Sequence, residues 1–116
     1  MKAIDLVLTN AKPGQDAEFN EWYDKVHIHD ILRVPGIEWA QRFKISPVRR
    51  GDNYNTMPPP PFQYLALYEL DGSVQQVLEG IEKARNAGQI PWSPALDPVF
   101  SAYIFEPISD VVRKKR

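Results

Sequence analysis

The stretch EFNEWYDKVHIHDILRVPG, residues 18–36, contains an amphipathic helix pattern and both histidines of the chain. Its apolar residues recur at i, i+3, i+4 and i+7, a spacing that places side chains on one face of an α-helix: Phe19, Trp22, Tyr23 and Val26. The pattern predicts a helix that begins at Asp16, buries this stripe against a core and ends before Pro35-Gly36.

The segments on either side of this helix predict four β-strands. They cover residues 3–9, 37–45, 62–70 and 99–106. A second helix is predicted between the third and fourth strands, because Ser73 and Gln76 match a capping box and Gly88 is suited to end the helix. The element order is βαββαβ, so the fold class is α+β, ferredoxin-like, with a four-stranded antiparallel sheet and two helices on one face.

Length and composition predict one domain. A chain of 116 residues, 43% of them hydrophobic, is large enough to bury its own core. We assign residues 1–110 to this domain and residues 111–116 to a basic C-terminal tail, which is either a solvated end or a binding arm. Residues 47–61, long, polar and rich in proline, predict either a lid or a disordered excursion.

Composition also argues against several classes of function. The 14 basic and 15 acidic residues give a net charge of -1, so the basic surface that nucleic-acid binding requires is missing. The N-terminal segment MKAIDLVLTN is too short and too alternating for a membrane span or a signal peptide, so we expect a cytoplasmic protein without a membrane partner. With no cysteine, only two histidines and no compact acidic motif, we expect no metal site.

Sorting the strand residues by parity predicts two different faces of the sheet. The helices are expected to cover an aliphatic face: Ile4, Leu6, Leu8, Ala40, Leu65, Leu67, Ala102 and Ile104. The other face is aromatic with polar groups between: Asp5, Val7, Thr9, Trp39, Gln41, Phe43, Tyr64, Tyr68, Ser101, Tyr103 and Phe105. So large an apolar patch predicts a covering partner, and a second copy of the sheet gives a homodimer with a barrel-like interior. Either this interior holds a cavity for a hydrophobic small molecule, or the tyrosines only point to solvent at the sheet margins.

His27 is the candidate catalytic residue of the first helix. On a helical wheel it borders the apolar stripe, with Tyr23 four residues before it and Asp24 three residues before it. Imidazole takes up and releases protons near neutral pH, and the Asp24 carboxylate on its second nitrogen would raise its basicity. An ordinary boundary histidine has the same spacing. His29 is predicted on the opposite edge of the stripe, so a continuous helix does not let the two histidines share a metal ion.

Several motifs resemble the first half of dimeric α+β barrel proteins, among them the EthD-like and RedY/HapK-like proteins. They are EFNEWYD from Glu18, then Val26-His27-Ile28, Val34-Pro35-Gly36 and Gln41-Arg42-Phe43. The resemblance covers residues 2–45 and implies the dimeric barrel fold, with His27 facing the cavity and acting on the substrate. Where such relatives commonly have proline, this chain has His29, either an added polar group at the cavity mouth or a neutral replacement.

The resemblance and the residue inventory together predict a cofactor-independent enzyme of secondary metabolism, acting on an aromatic or polyketide-like molecule as a cyclase, isomerase or dehydratase. His27 would transfer the proton, with Tyr23 and Asp24 as catalytic partners. The residues expected to bind substrate are Asp5, His29, Trp39, Arg42, Phe43, Tyr64, Tyr68 and Tyr103. By parity Arg42 could instead serve only a surface ion pair. The alternatives are a cofactor-free monooxygenase and a non-catalytic binding or dimeric scaffold protein.

Overall fold

The computed structural model describes residues 2–48, 50 and 60–116. The four strands of its antiparallel sheet are β1 (Ala3–Thr9), β2 (Ile37–Lys44), β3 (Tyr64–Leu70) and β4 (Ser101–Phe105). They lie in the order β2-β3-β1-β4, which is that of the ferredoxin-like fold, and the predicted fold class is confirmed. The alternatives of a lid or a disordered excursion concern a segment that lies mostly outside the described residues. No described helix has the length and apolar character needed to cross a lipid bilayer.

The first helix is continuous but changes type in its middle. It consists of α1 (Asp16–Trp22), a π-helical segment (Tyr23–His27) and α2 (Ile28–Leu32). A π-helical turn has i→i+5 hydrogen bonds, so it takes one residue more than an α-helical turn. All later residues are therefore rotated back around the helix axis relative to a regular pattern.

This rotation decides which residues of the first helix are buried. In an unbroken α-helix, His27 would lie about 80° and Ile31 about 120° from Phe19. The structure buries all three, and it exposes Val26. The prediction that Val26 belongs to the buried stripe is therefore wrong, because the π-helical segment replaces it with His27.

The second predicted helix is α3 (Val74–Asn86), and the predictions for both of its ends are confirmed. The Ser73 Oγ accepts a hydrogen bond from the Gln76 backbone N–H at 3.2 Å, and Gly88 follows the helix with φ of +76°. Before β2, Gly36 has φ of +93°, and a Cβ there would lie 2.5 Å from Val77 Cγ2. Only glycine permits α3 to approach the chain this closely.

The strand register corrects the predicted faces of the sheet. The helices cover one face, which consists of Ala3, Asp5, Val7, Thr9, Ile37, Ala40, Arg42, Tyr64, Ala66, Tyr68, Leu70, Ala102 and Ile104. The open face consists of Ile4, Leu6, Leu8, Trp39, Gln41, Phe43, Leu65, Leu67, Glu69, Ser101, Tyr103 and Phe105. The predicted faces are exchanged for β1 and β3, and they are confirmed for β4 and for β2 from Trp39 onward.

The reason lies in how strands pair. Alternation within one strand sorts its residues onto two faces. It does not determine which of these two sets shares a face with a given set of the neighbouring strand, because that depends on the pairing register. The register pairs Leu6 with Leu67 and with Tyr103, so aliphatic and aromatic residues share the open face. In β2 a register shift between Ile37 and Trp39 also turns Ile37 toward the helices.

Candidate functional site

A cavity of about 290 Å³ lies between the helices and the covered face of the sheet. Strands β1, β3 and β4 form its floor, and the first helix and α3 form its walls. The segment after α3 adds Trp92, Leu96 and Phe100. The cavity thus lies beneath the helices of one chain and not, as predicted, between two sheets of a dimer.

His27 lies in the wall of this cavity between aromatic rings. Its ring stacks on Trp22, with centroids 4.5 Å apart, and on Trp92, with centroids 5.9 Å apart. The Tyr23 ring meets it edge-on at 4.8 Å. Only 6% of His27 is exposed, so these rings hold the imidazole in one orientation within an apolar wall.

Burial keeps the His27 imidazole uncharged. Desolvation, together with the positive charges of Arg85 and Arg42, lowers the pKa of His27 to about 4. The imidazole is therefore neutral at neutral pH, with one N–H and one free lone pair. Its Nδ1 is buried and has no hydrogen-bond partner among the described residues. A buried polar atom without a partner is costly, and a hydrogen-bonding ligand in the cavity would remove that cost.

Two tyrosines and a carboxyl group form the polar part of the cavity. The Tyr68 hydroxyl donates a hydrogen bond to the Tyr23 hydroxyl at 3.3 Å, and burial raises the pKa of both. Both phenols are consequently neutral. The Tyr68 proton is directed to Tyr23, which leaves the Tyr23 O–H as the donor available to a ligand. Asp5 lies opposite Tyr68 in the sheet, and burial raises the pKa of its carboxyl to about 6, against the opposing effect of Arg85.

Asp24 does not pair with His27. The Arg42 Nη1 donates to the Asp24 Oδ1 at 2.7 Å, and the Arg42 Nη2 donates to the Asn20 Oδ1 at 2.8 Å. The guanidinium also lies over the Tyr23 ring, 4.4 Å from its centroid. Asp24 is therefore a surface group, 61% exposed, that holds the 13% exposed Arg42 side chain against the back of the cavity wall.

The structure brings only part of the predicted site together. The predicted residues that line the cavity are Asp5, Tyr23, His27 and Tyr68, and Tyr103 borders it on strand β4 although the register puts its side chain on the open face. Those that lie elsewhere are Asp24, His29, Trp39, Arg42, Phe43 and Tyr64. Trp39 and Phe43 are exposed on the open face, and His29 is exposed on the first helix. The Tyr64 hydroxyl donates to the Asp16 carboxylate at 2.6 Å.

The cavity residues that the sequence analysis did not predict include one cation and two aromatic residues: Arg85, Trp92 and Phe100. Arg85 carries a signal that could have revealed it, because it follows Leu78 by seven residues and Ile81 by four and so continues the apolar stripe of α3. A charged residue in that row indicates a place where the buried stripe meets solvent or a cavity. Trp92 and Phe100 lie in a segment that the pattern identifies only as a proline-rich connection.

The described residues contain no cluster of three or more His, Asp or Glu side chains positioned for a metal ion.

Comparison with models of known protein families gave no match, and comparison with curated proteins gave none either. Solved structures do match. HapK from Hahella chejuensis is similar over 99% of this chain and 100% of its own, with a TM-score of 0.62 and 14% identity.

Two further structures extend this likeness. An ethyl tert-butyl ether D (EthD) family protein from Bacillus halodurans C-125 is similar over 91% of this chain and 99% of its own, with a TM-score of 0.51 and 14% identity. A proposed monooxygenase from Shewanella loihica PV-4 is similar over 94% of this chain and 97% of its own, with a TM-score of 0.59 and 15% identity. The chain shares their fold. The structural likeness to EthD and HapK proteins agrees with the resemblance read from the sequence.

Proposed function

We propose that this chain is an enzyme that moves protons on a hydrophobic, aromatic or polyketide-like small molecule and needs no bound cofactor. The supporting observation is the uncharged His27 imidazole, held by stacked indoles in the wall of an apolar cavity. The neighbour from Shewanella loihica, a proposed monooxygenase, supports an enzymatic role on this fold.

The arrangement supports a cyclisation, isomerisation or dehydration. A neutral His27 takes a proton from a carbon next to a carbonyl group, and the electrons of the broken C–H bond move onto the carbonyl oxygen. The Tyr23 hydroxyl supplies a hydrogen bond to that developing oxyanion, and the Tyr68 hydroxyl supports it by donating to Tyr23. The imidazolium then returns the proton to another carbon in an isomerisation or to a departing hydroxyl group in a dehydration. In a cyclisation the enolate carbon attacks a second carbonyl group, whose oxygen takes the proton.

A cofactor-free monooxygenase is the second candidate, favoured by the neighbour from Shewanella loihica. Its first step would be the same removal of a proton by His27, and the resulting carbanion would then reduce molecular oxygen. The two candidates differ in their products, because isomers keep the substrate's mass, dehydration removes one water and oxygenation adds oxygen.

The test uses a panel of aromatic and polyketide-like ketones, with products followed by mass spectrometry. We expect turnover by the wild-type protein and a decrease in kcat/KM of about 10²–10⁴-fold for His27→Ala, the usual contribution of a positioned general base. His29→Ala is the matched control, since it removes the exposed histidine outside the cavity. Equal activity of His27→Ala and His29→Ala would contradict the proposal and favour a non-catalytic scaffold.

We also propose that the open face of the sheet joins two copies of the chain. Its residues Trp39, Phe43, Tyr103 and Phe105 are each more than a third exposed, and the half-buried Leu6 and Leu67 lie between them. A contiguous apolar patch of this kind is unusual on a monomer. In this arrangement the second copy covers the open face, while each chain keeps its own cavity.

A further inference from the structure

Arg85 is a cation at the cavity that the proposed proton transfer does not use. It lies on α3 and lines the cavity, although the residue is exposed as a whole, which places it at the mouth. Its guanidinium lies over the Trp92 ring, 4.8 Å from the centroid. Among the described residues it makes no hydrogen bond or ion pair, in contrast to Arg33 and Arg42, which pair with Asp30 and Asp24. Arg85 is thus positioned by an aromatic ring with its N–H donors available.

The same indole links Arg85 to His27. The Arg85 guanidinium packs over the Trp92 ring, and the same ring stacks on the His27 imidazole with centroids 5.9 Å apart. A ligand that reaches both groups needs an apolar body that fits a cavity of about 290 Å³ and an anionic group at the mouth. We propose that Arg85 anchors the carboxylate of the substrate, so that the site accepts hydrophobic aromatic acids in preference to neutral compounds of the same shape.

A carboxylate fits these surroundings better than a phosphate does. A single guanidinium matches a carboxylate with two parallel hydrogen bonds and one compensating charge. The titratable and charged groups that face the cavity are Asp5, Tyr23, His27, Tyr68 and Arg85, and Tyr103 borders it on β4 with its side chain on the open face. Of these, Arg85 alone is a cation at neutral pH, and a doubly charged phosphate would lack a second one. The Asp5 carboxyl opposes an entering anion at neutral pH, because its pKa, raised by burial to about 6, leaves it largely ionised there. At mildly acidic pH it takes up a proton and this repulsion disappears.

The inference rests on the proposed function in one respect, namely that this cavity is the substrate site. The test is a direct binding measurement with naphthoate and naphthamide, a planar acid and its uncharged counterpart. Dissociation constants are measured by isothermal titration calorimetry at mildly acidic pH, below the Asp5 pKa of about 6 and above the His27 pKa of about 4, for the wild-type protein, Arg85→Gln and Lys83→Gln. Lys83→Gln is the matched control, because Lys83 lies on the same helix, has the same charge and does not line the cavity.

We expect the wild-type protein to bind naphthoate about tenfold more tightly than naphthamide, the effect of one charge-assisted hydrogen-bonding group. Arg85→Gln should abolish this preference and leave naphthamide binding unchanged, whereas Lys83→Gln should preserve it. The inference is overturned if neither probe binds, if the wild-type protein shows no preference, or if both variants weaken naphthoate binding equally.

These binding results separate the inference from the proposed function. Naphthoate binding that depends on Arg85, combined with a substrate panel in which His27→Ala changes nothing, would retain the carboxylate site and reject the catalytic proposal. Turnover that depends on His27, combined with an Arg85→Gln protein that still prefers naphthoate, would reject the carboxylate site and retain the catalytic proposal.

Discussion

At the scale of single residues, Asp5 and His27 lie in the same cavity, and their shifted pKa values have opposite effects on how stability depends on pH. Burial shifts the pKa of Asp5 upward from 3.8 to about 6, so between these values the folded chain holds a proton that the unfolded chain releases. Burial shifts the pKa of His27 downward from 6.5 to about 4, so between these values the unfolded chain holds the additional proton. The Asp5 contribution to stability is lost as pH rises from 3.8 to 6, and the His27 penalty disappears as pH rises from 4 to 6.5.

Between about pH 4 and 6, Asp5 makes the free energy of unfolding fall with pH and His27 makes it rise, so the two effects partly cancel. Replacing one of the two residues should leave the effect of the other. We expect the free energy of unfolding of Asp5→Asn, relative to wild type, to rise with pH across this window by up to about 1.4 kcal/mol per pH unit. His27→Gln should show the opposite slope relative to wild type. Urea denaturation of the three proteins at a series of pH values measures this, and three parallel pH profiles would contradict the assignment.

Arg42 shows how one side chain serves packing and charge together. Its contact with the exposed Asp24 is a surface ion pair of the kind that contributes less than about 1 kcal/mol. Its guanidinium also covers the Tyr23 ring and bonds Asn20, and the side chain is mostly buried. We infer that the stacking and the buried alkyl chain matter more for stability than the pair with Asp24.

At the scale of elements, the two helices reach the cavity by different means. The first helix turns His27 inward through its π-helical segment, and π-helical turns are often found at functional sites. The second, α3, is a regular helix whose apolar stripe ends in Arg85. The cavity therefore combines an irregular helix that places the base with a regular helix that places the cation.

The N-cap of α3 offers a test of local helix stability. Ser73→Ala removes the side-chain oxygen that accepts the Gln76 N–H, so we expect the free energy of unfolding to fall by about 1 kcal/mol. Ser73→Asp keeps an acceptor at this position and should lie close to wild type. Urea denaturation with circular dichroism measures both variants, and equal stability of Ser73→Ala and the wild-type protein would show that the cap is energetically unimportant.

At the scale of the whole molecule, the proposed dimer predicts a change of mass. Leu67 lies near the middle of the open face, paired with Leu6 and Gln41. A buried, unpaired carboxylate at that position is costly, so Leu67→Asp should dissociate the dimer. We expect sedimentation velocity to give twice the chain mass for the wild-type protein and for Val99→Asp, whose exposed side chain lies outside the sheet, but one chain mass for Leu67→Asp. A wild-type protein that sediments as one chain would reject the interface.

Much of the fold could be predicted because each element has a local cause. The alternation in residues 3–9 matches β1 (Ala3–Thr9), and Ser73 and Gly88 bracket α3 as expected. Less of the site could be predicted. His27 and Tyr23 line the cavity as expected. Trp39 and Phe43, which strand parity assigned to the substrate site, lie on the open face of the sheet, away from the cavity.

The sequence by itself determined the elements, their order and the presence of a histidine beside the buried stripe of the first helix, because these depend on periodicity and capping over a few residues. Only the tertiary structure decided which side of β1 and β3 meets the helices, that Asp24 pairs with Arg42, and that Arg85 and Trp92 join His27 at one cavity. These facts depend on strand register, on one additional residue in a helical turn and on contacts between segments distant in the chain, none of which leaves a periodic signal in the sequence.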